Sequence, residues 1–514
     1  MIIQDLTITT IKDRILINNF SFTINKGDRI AIIGEEGNGK SSLLKAIVNR
    51  DLIKAYANVR GTIDFQSETI GYLPQLLDQK WYECSIIEYL LRNDSEDEIE
   101  VEKYNDLQEF QMILSKMNLR DDFLECNQLM RTLSGGEKIK IQLAKIIYHK
   151  PDILFLDEPT NDLDIDTLEW LEEFLLDLET AVVFISHDET LLSRVANQII
   201  HIEQLKKKTK PLIRKEALGY REYIEKRGYL IWRQNNIAKK EKQEFDKKMG
   251  RWRQLYQKVD HKLNTASRQD PHGAQLLKKK MRSIKSAKKR LDQIDLVNKI
   301  EPEESIHIFF DGEAKISNNQ IVLDFHLKEL KRGAMILARD IDLFIKGPSK
   351  VMMIGKNGIG KTTLFKAIVD TFKEQKRFKF SYMPQNYEEL MDMNQNVVEW
   401  IAQSQEKRIL TEVRLLLGNL KFTTEEMEKK LEDLSGGQRA KAYLAQFVYH
   451  KSEVLLLDEP TRNLSPLSNP VIRELLASFQ GAILAITHDR LLIDEVATHI
   501  YELTEYGLEE LKRI

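Results

Sequence analysis

Cysteine is nearly absent from this sequence of 514 residues, in which Cys84 and Cys126 are the only two. Two isolated thiols without metal-ligand spacing exclude a disulfide framework and a zinc site, and they are typical of a reducing cytosol. No stretch approaches the ~18 to 20 uninterrupted apolar residues that cross a bilayer. The N-terminal MIIQDLTITTIKDR also lacks the basic segment and apolar core of a secretory signal. We therefore expect a cytoplasmic protein without a membrane-spanning segment.

Charge is distributed unevenly along the chain. The net charge is −3, but the segment 205–300 carries 29 Lys and Arg against 10 Asp and Glu, so the rest of the chain carries −22. A basic insert between two acidic bodies is typical of an element that binds a polyanion. The alternative is that a long exposed helix pair needs charge to stay in solution. Mixed signs would serve that purpose, so the one-sided surplus favours polyanion binding.

Five short motifs occur twice, in the same order. In both copies the glutamate of the acid pair lies 29 residues before the histidine. The duplication predicts two copies of one catalytic unit, at 1–204 and 305–514, joined by a linker at 205–304. The motif pairs are GEEGNGKS at 34–41 and GKNGIGKT at 355–362, YLPQ at 72–75 and YMPQ at 382–385, LSGGE at 133–137 and LSGGQ at 434–438, ILFLDEPT at 153–160 and VLLLDEPT at 454–461, and ISHD at 185–188 and ITHD at 486–489.

Short β-branched runs predict the secondary structure of each half. Arg29–Ile33, Ala181–Ile185 and Ala482–Ile486 are expected to be buried parallel strands that alternate with helices. Each half is therefore expected to be an α/β unit.

Each GxxxxGK[S/T] motif follows a predicted strand and opens a predicted helix. Glycines let the backbone curl so that successive N–H groups point at phosphate oxygens, and the helix adds its positive end. Lys40 and Lys361 are expected to reach the β- and γ-phosphates, and Ser41 and Thr362 to ligate Mg²⁺. The sequence thus predicts two sites for a nucleoside triphosphate.

Each acid pair follows four apolar residues, which places its carboxylates at the C-terminal edge of a buried strand, where ligands bind in open α/β sheets. The first acid, Asp157 or Asp458, is expected to hold Mg²⁺. The second acid is expected to orient and deprotonate the attacking water, and the histidine to contact the γ-phosphate. The predicted catalytic residues are therefore Glu158, Glu459, His187 and His488.

With their LSGG segments, both halves resemble the ATP-binding-cassette ATPases, with all five motifs in order. In that family two cassettes pack head to tail, and each ATP lies between the phosphate loop of one cassette and the LSGG segment of the other. ATP binding closes the pair and hydrolysis reopens it. The resemblance implies that ATP is bound by Gly34, Gly37, Gly39, Lys40, Ser41, Ser42, Gln75, Ser134, Gly135, Gly136, Gly355, Gly358, Gly360, Lys361, Thr362, Thr363, Gln385, Ser435, Gly436 and Gly437. It implies that Mg²⁺ is held by Ser41, Gln75, Asp157, Thr362, Gln385 and Asp458.

The sequence departs from the family at two places. Ser465 stands where the family usually has an aspartate that bridges the two sites, whereas the first half has Asp164. The aromatic residue that often stacks on adenine would fall near Ile11 and Arg332, and neither is aromatic. The two sites are therefore expected to differ in rate, and selectivity for ATP over GTP rests on the resemblance alone.

Residues 217–299 predict two helices that form an antiparallel hairpin. Apolar residues recur at alternating steps of four and three, which is a heptad seam. The seam consists of Phe245, Met249, Trp252, Tyr256, Val259 and Leu263, and it returns through Leu277, Met281, Ile284, Leu291 and Ile294. Lys288 interrupts the returning strip, and residues 264–273 predict a polar turn at the tip. The residues expected to contact RNA are Lys278, Lys279, Lys280, Arg282, Lys285 and Arg268.

Two cassettes joined by a basic hairpin, with Tyr220-Arg-Glu-Tyr223-Ile at its start, resemble the ABC-F family of translation factors. Family members bind the ribosomal tRNA exit site and direct the hairpin towards the peptidyl-transferase centre. The resemblance implies a monomer whose partners are ribosomal RNA, the large subunit and P-site tRNA. It also implies that neither a membrane nor DNA is a partner. The segment between Gln75 and Ser134 is only slightly longer than its counterpart between Gln385 and Ser435. We therefore expect the large arm of housekeeping members to be absent or reduced, and we expect no further domain after Ile514. These features resemble the antibiotic-resistance branch, which protects ribosomes from lincosamides, streptogramin A and pleuromutilins.

Three alternatives stay open. An ABC-F factor that relieves stalled ribosomes without drug resistance would have the same organisation. The chain could instead be the ATPase subunit of a membrane exporter, although its basic insert argues against that. A DNA-repair ATPase also combines cassette chemistry with coiled coil, but those proteins insert the coil inside one cassette, whereas this linker joins two.

Overall fold

The computed structural model describes residues 1–120, 123–124, 128–204, 210–264, 271–293, 299–300, 302, 310, 316–333 and 335–511. These residues form two compact units. Met1–Tyr220 and Glu303–Ile514 together make the larger unit, and Arg221–Pro302 make the smaller one.

The first half of the larger unit consists of strands and helices that mostly alternate. Its strands are β1 (Ile2–Thr10), β2 (Ile15–Thr23), β3 (Arg29–Ile33), β4 (Ala57–Asp64), β5 (Ile70–Leu73), β6 (Ile153–Asp157), β7 (Ala181–Ile185), β8 (Gln198–Gln204) and β9 (Lys210–Glu216). Its helices are α1 (Lys40–Val48), α2 (Ile86–Leu91), α3 (Leu107–Lys116), α4 (Gly135–Tyr148), α5 (Ile165–Asp177) and α6 (Glu189–Val195).

The smaller unit is a helical hairpin of α7 (Tyr220–Asn264) and α8 (Pro271–Asp292). Trp252 Nε1 donates to the carbonyl oxygen of Ile284 at 2.9 Å, so the two helices meet at the predicted seam. Val259 and Ile284 are buried there. Lys288, which interrupts the apolar strip, places its ammonium 5.2 Å from the Trp252 ring centre, a cation–π contact that explains a lysine at this position.

The second half of the larger unit repeats the first. Its strands are β10 (Ile321–Arg332), β11 (Met335–Lys346), β12 (Lys350–Ile354), β13 (Phe380–Met383), β14 (Val454–Asp458), β15 (Ala482–Ile486), β16 (His499–Thr504) and β17 (Gly507–Leu511). Its helices are α9 (Lys361–Gln375), α10 (Val397–Ala402), α11 (Lys407–Asn419), α12 (Thr424–Glu428), α13 (Gly436–His450), α14 (Asn469–Ser478) and α15 (Arg490–Val496).

The core of each half is a six-stranded sheet, in the orders β5-β6-β7-β3-β8-β9 and β13-β14-β15-β12-β16-β17. All neighbours pair parallel except the last strand of each sheet, which pairs antiparallel. A three-stranded sheet, β2-β1-β4, and the pair β10-β11 complete the two halves. The strands β6, β7, β14 and β15 are buried at every residue, as apolar β-branched runs predict. The predicted strands β3, β7 and β15 are confirmed with the predicted bounds.

The strand order places the motifs together. In the first sheet β6, β7 and β3 are neighbours, and they end in the acid pair, the histidine loop and the phosphate loop. In the second sheet β14, β15 and β12 do the same. Because parallel strands bring their carboxyl ends to one edge, three motifs far apart in sequence converge on one site in each half.

Among the described residues, no helix combines the length and apolarity needed to cross a membrane.

Candidate active sites

Each phosphate loop begins with a glycine that lies against a neighbouring strand. Gly34 has a φ of +146°, and a Cβ at this position would collide with the carbonyl oxygen of Ile202 in β8. Gly355 has a φ of +144°, and its Cβ would lie 2.8 Å from the carbonyl oxygen of Leu503 in β16. The loops can pass this close to the sheet only because these residues have no side chain.

The lysine of each loop lies back over the loop's own carbonyl groups. Lys40 Nζ donates to the carbonyl oxygens of Gly34 at 2.8 Å and Glu35 at 3.3 Å. Lys361 makes the two equivalent contacts in its own loop, at 2.7 and 3.1 Å. Burial lowers the pKa of the Lys361 ammonium. The phosphate oxygens of a nucleotide would replace these carbonyl acceptors.

The first acid of each pair carries an oxygen suited to a metal ion. Ser41 Oγ donates to Asp157 Oδ1 at 2.9 Å. The other oxygen, Oδ2 of Asp157 and of Asp458, is buried and has no hydrogen-bond partner in the described part of the chain. Burial raises the pKa of both carboxyls, that of Asp458 to about 6. Hydroxyl and carboxylate oxygens are the ligands that Mg²⁺ prefers, so these residues fit a bound Mg²⁺.

The second acid of the first half is held by three side chains. Glu158 Oε2 accepts from Gln75 Nε2 at 3.1 Å and from Asn161 Nδ2 at 2.8 Å, and Oε1 lies 3.1 Å from His187 Nε2. Its backbone is left-handed, with a φ of 52°, a conformation that costs energy for a residue other than glycine. Burial acts to raise the pKa of Glu158, but His187 has the opposite effect and the pKa is lowered to about 2. The carboxylate is therefore ionised and oriented at neutral pH.

The equivalent acid of the second half is held less well. Glu459 has a similar φ of 55°. His488 donates its backbone N–H to Oε2 at 3.4 Å, and its Nε2 lies 3.6 Å from Oε1. Burial and the neighbouring Asp458 raise the pKa of Glu459 to about 8. Burial and the charge of Lys361 lower the pKa of His488 to about 4, so this histidine is neutral.

The two histidines also differ in what holds their second nitrogen. His187 Nδ1 lies 2.5 Å from the carbonyl oxygen of Leu464, which belongs to the other half of the chain. A carbonyl oxygen can only accept, so this contact places a proton on Nδ1. His488 Nδ1 is buried without a hydrogen-bond partner among the described residues. The first site is therefore completed by a loop of the second half, and the second site has no such contact at its histidine.

The phosphate loops contact the opposite half. In the first loop, Glu36 Oε2 accepts from the backbone N–H of Gly437 at 2.5 Å. In the second loop, Asn357 Nδ2 donates to the carbonyl oxygen of Asp162 at 2.6 Å, and its N–H donates to Asp164 Oδ2 at 3.2 Å. The head-to-tail arrangement implied by the sequence is thus present between these halves.

A cavity of about 300 Å³ lies at the second phosphate loop, between the two halves. Its volume is at the lower end of the range for ligand pockets. It is also lined by Arg332, which stands near the position where the family often has an adenine-stacking aromatic residue. The predicted site residues on its wall include His187, Lys361, Thr362, Gln385, Glu459 and His488.

Comparison with known proteins decides the family. The sequence profile described as ABC transporter matches residues 17–161 and 338–462, which together are more than half of the chain. The chain belongs to the ABC transporter family. It carries the ATP-binding cassette twice, and it is an ATPase.

Its relatives are ABC-F-type proteins. The ATP-binding protein YdiF of Bacillus subtilis (strain 168) is 28% identical over an alignment that covers 96% of this chain and 78% of YdiF. ABC transporter F family member 5 of Arabidopsis thaliana is 25% identical, with 96% of this chain and 74% of that protein covered. Among solved structures, the archaeal ribosome recycling factor aABCE1, in complex with the ribosomal stalk protein aP1, has a TM-score of 0.59 at 16% identity, covering 99% of this chain and 90% of that chain. That likeness concerns the double-cassette fold.

The LSGG segments of both cassettes are helix starts. Ser134 caps α4 in a capping box with Glu137, and Ser435 caps α13 in a capping box with Gln438. In the first cassette a Cβ on Gly135 would collide with the carbonyl oxygen of Asp162. Gly136 likewise packs on Thr167. The loop 162–167, which contacts Asn357 of the second phosphate loop, therefore packs on the first LSGG segment. The other predicted nucleotide ligands lie in the phosphate loops and the first turns of α1, α9 and α13, namely Gly37, Gly39, Ser42, Gly358, Gly360, Thr363 and Gly436.

Two acidic residues of the first phosphate loop were missed by the sequence analysis. Glu36 accepts from the N–H of Gly437, a residue that the family resemblance assigns to ATP binding, and Glu35 accepts from Lys441 of the second cassette. The sequence does distinguish them, because the second phosphate loop carries Lys356 and Asn357 at the positions of Glu35 and Glu36.

Ion pairs also join the cassettes beside the histidine loops. Glu189, which lies two residues beyond His187, accepts from Arg473 at 2.5 Å. Arg490, two residues beyond His488, donates to Glu172 of the first cassette. Both histidine loops therefore lie at the cassette boundary.

The hairpin residues predicted to contact RNA lie on its exposed faces. Lys278, Lys279, Lys280, Arg282 and Lys285 are all exposed on α8. Arg268 lies outside the described residues.

Proposed function

We propose that this chain is an ABC-F-type ATPase that acts on the ribosome and contacts its RNA through the hairpin 221–302. The observation that carries the proposal is the pairing of two cassettes through their ATP sites in a chain whose linker is a strongly basic hairpin. Exposed cations on α8 suit a phosphate backbone, because such contacts need charge rather than a shaped pocket. The ribosome recycling factor of similar fold, which was solved with a ribosomal stalk protein, supports the same partner.

In the proposed cycle, ATP binding joins the cassettes and hydrolysis separates them. The N–H groups of the first phosphate loop bind the phosphates, and Lys40 exchanges its carbonyl contacts for phosphate oxygens. Glu158 orients and deprotonates the attacking water, and His187 holds that carboxylate in place. Mg²⁺, which would be held by Ser41, Gln75 and Asp157, supplies charge neutralisation on the phosphates. Equivalent residues of the second cassette act at the other site.

We further propose that the chain protects the ribosome from peptidyl-transferase-centre antibiotics. This role is supported by the short segment between Gln75 and Ser134, which resembles the resistance branch. The ribosomal partners would be ribosomal RNA, the large subunit and P-site tRNA, and the site of action would be the cytoplasm.

The protein with the double substitution Glu158→Gln and Glu459→Gln is expected to stay bound to ribosomes in the presence of ATP. Glutamine cannot accept the proton of the attacking water, so ATP stays bound and the cassettes stay together. Purified ribosomes are sedimented through a sucrose cushion with the variant in ATP or in ADP. At least a tenfold excess in the ATP pellet is expected. Equal amounts in ATP and ADP, or none in either, would refute the ribosomal proposal.

A matched pair of charge variants completes this experiment. Replacing Lys278, Lys279 and Lys280 by glutamine is expected to weaken sedimentation and to reduce the slope of log affinity against log salt by about 2, because three phosphate contacts are lost. Replacing three exposed cassette lysines removes the same charge elsewhere and should leave the slope unchanged. These control positions are Lys373, Lys376 and Lys379.

Cell-free translation inhibited by a lincosamide tests the proposed protection of the ribosome from antibiotics. Addition of the wild-type protein is expected to restore synthesis, and the double glutamine variant is expected to fail, because protection needs repeated release. A pleuromutilin is used in a parallel reaction. No restoration with either drug, combined with inhibition of drug-free synthesis by the variant, would favour the relief of stalled ribosomes instead.

A further inference from the structure

The bridge between the cassettes is a carboxylate in the first D-loop, the segment 161–167 that follows the acid pair. Asp164 Oδ1 accepts from the N–H of Thr167 at 3.1 Å and from its Oγ1 at 2.5 Å. Asp164 Oδ2 accepts the N–H of Asn357, in the phosphate loop of the second cassette, at 3.2 Å. One carboxylate thus ties the D-loop to its own helix and to the opposite phosphate loop.

The second D-loop, 462–468, has no carboxylate at the matching position, where Ser465 stands. A carboxylate nevertheless lies there, and it comes from the first phosphate loop. Glu35 Oε1 accepts from Ser465 Oγ at 2.5 Å and from Ser468 Oγ at 2.6 Å. Ser468 is the counterpart of Thr167, so the same hydroxyl position binds a carboxylate in both D-loops.

The cation beside the carboxylate is repeated as well. Lys441 Nζ donates to Glu35 Oε2 at 2.9 Å. Its counterpart in the first cassette is Lys140, whose charge interacts with Asp164. In the second phosphate loop the residue that matches Glu35 is Lys356. At one interface the carboxylate belongs to the D-loop, as Asp164, and at the other it belongs to the phosphate loop, as Glu35. Its hydroxyl and lysine partners occupy matching positions at both interfaces.

We propose that Glu35 is a positioning residue of the first ATP site, which supplies from the phosphate loop the bridging carboxylate that Ser465 lacks and so holds His187 in place. Ser465 directly follows Leu464, whose carbonyl oxygen lies 2.5 Å from His187 Nδ1. His187 Nε2 in turn lies 3.1 Å from Glu158. Fixing Ser465 fixes this carbonyl, and through it the histidine beside the water-activating carboxylate.

The surroundings keep the Glu35 carboxylate charged. Its side chain is only 13% exposed and that of Lys441 10% exposed. Although burial acts to raise it, Lys441 and the two serine hydroxyls lower the pKa of Glu35 to about 2. The bridge is thus complete at any physiological pH, and removing either charge leaves its partner buried without a counterion.

The test is a double-mutant cycle on ATP hydrolysis by the purified full-length chain, and it does not depend on the ribosomal proposal. Glu35→Gln is expected to lower kcat about tenfold and to change KM for ATP less than threefold, because the side chain faces the D-loop. Ser465→Asp alone is expected to lower kcat to a similar extent, since it places a second carboxylate against Glu35. Combining the two substitutions recreates the arrangement of Asp164 and Lys140 and is expected to restore kcat to within about threefold of wild type.

Restoration by the double variant supports the proposal, because lost packing would not be repaired by a second loss. A double variant as slow as the product of its two single effects would overturn the proposal. Thermal unfolding checks that each variant is folded. Should Ser465→Asp not fold, the mirror pair decides in the same way, with Asp164→Ser as the damaging change and Lys356→Glu as the expected repair. Additive losses in the mirror pair would then overturn the proposal.

Discussion

Glu158→Gln is expected to lower steady-state ATP hydrolysis by about 100-fold, and Glu459→Gln to lower it by less than about twofold, because the first site carries most of the turnover. Both residues follow a buried strand and share a left-handed backbone, but only Glu158 is ionised and held by three side chains. Its partner His187 is fixed in turn by the second cassette. The first site is therefore the better assembled for activating water.

The measurement is the rate of phosphate release at saturating ATP for each single variant. Glu425→Gln serves as the control, because it makes the same change at an exposed position of α12. Equal losses in the two variants, or a greater loss from Glu459→Gln, would show that the geometry of the acid does not set the rate.

The pH profile gives a second readout of the same difference. Since the pKa of Glu459 is raised to about 8, its carboxyl is protonated at neutral pH and ionises as the pH rises through that value. The residual activity of the Glu158→Gln variant, which comes from the second site, is therefore expected to increase between about pH 7 and about pH 9. The Glu459→Gln variant should show no such rise, because Glu158 is ionised well below this range.

The phosphate loop, the acid pair and the histidine could be predicted to converge because each of these motifs directly follows a strand. A phosphate loop, an acid pair and a histidine that follow neighbouring parallel strands must meet at one edge, and spacing along the chain reveals this without coordinates. The heptad seam predicted the hairpin for a similar reason, since its period is local. Features that depend on residues close together in the sequence could therefore be predicted from it.

The difference between the sites depends on contacts across the cassettes, which local patterns do not contain. Glu35 meets Ser465 over 430 residues, and His187 meets Leu464 over 277. The sequence showed that Ser465 lacks a carboxylate, but only the packing shows that Glu35 lies against it. The same holds for Arg473 and Glu189, whose pairing follows from the way the cassettes meet.

Gly34→Ala is expected to abolish ATP binding at the first site, with a loss of affinity of at least about 100-fold. The φ of +146° is outside the range that L-residues adopt, and the new Cβ would collide with the carbonyl oxygen of Ile202. The loop would have to withdraw from β8, so its N–H groups would no longer converge on the phosphates. Affinity is measured by fluorescent-nucleotide titration with Lys361→Ala present, which removes binding at the second site.

Gly27→Ala is the matched control for this experiment. Gly27 also has a positive φ, +80°, but a Cβ there would meet no atom within 4 Å. The substitution is expected to cost about 1 to 2 kcal/mol of stability through backbone strain alone and to leave nucleotide affinity unchanged. Unaltered ATP affinity in Gly34→Ala would contradict the prediction and show that the loop can rearrange without its glycine. Loss in Gly34→Ala but not in Gly27→Ala would show that a positive φ alone does not create the requirement, and would place it in the φ of +146° and the contact with β8 that are particular to Gly34.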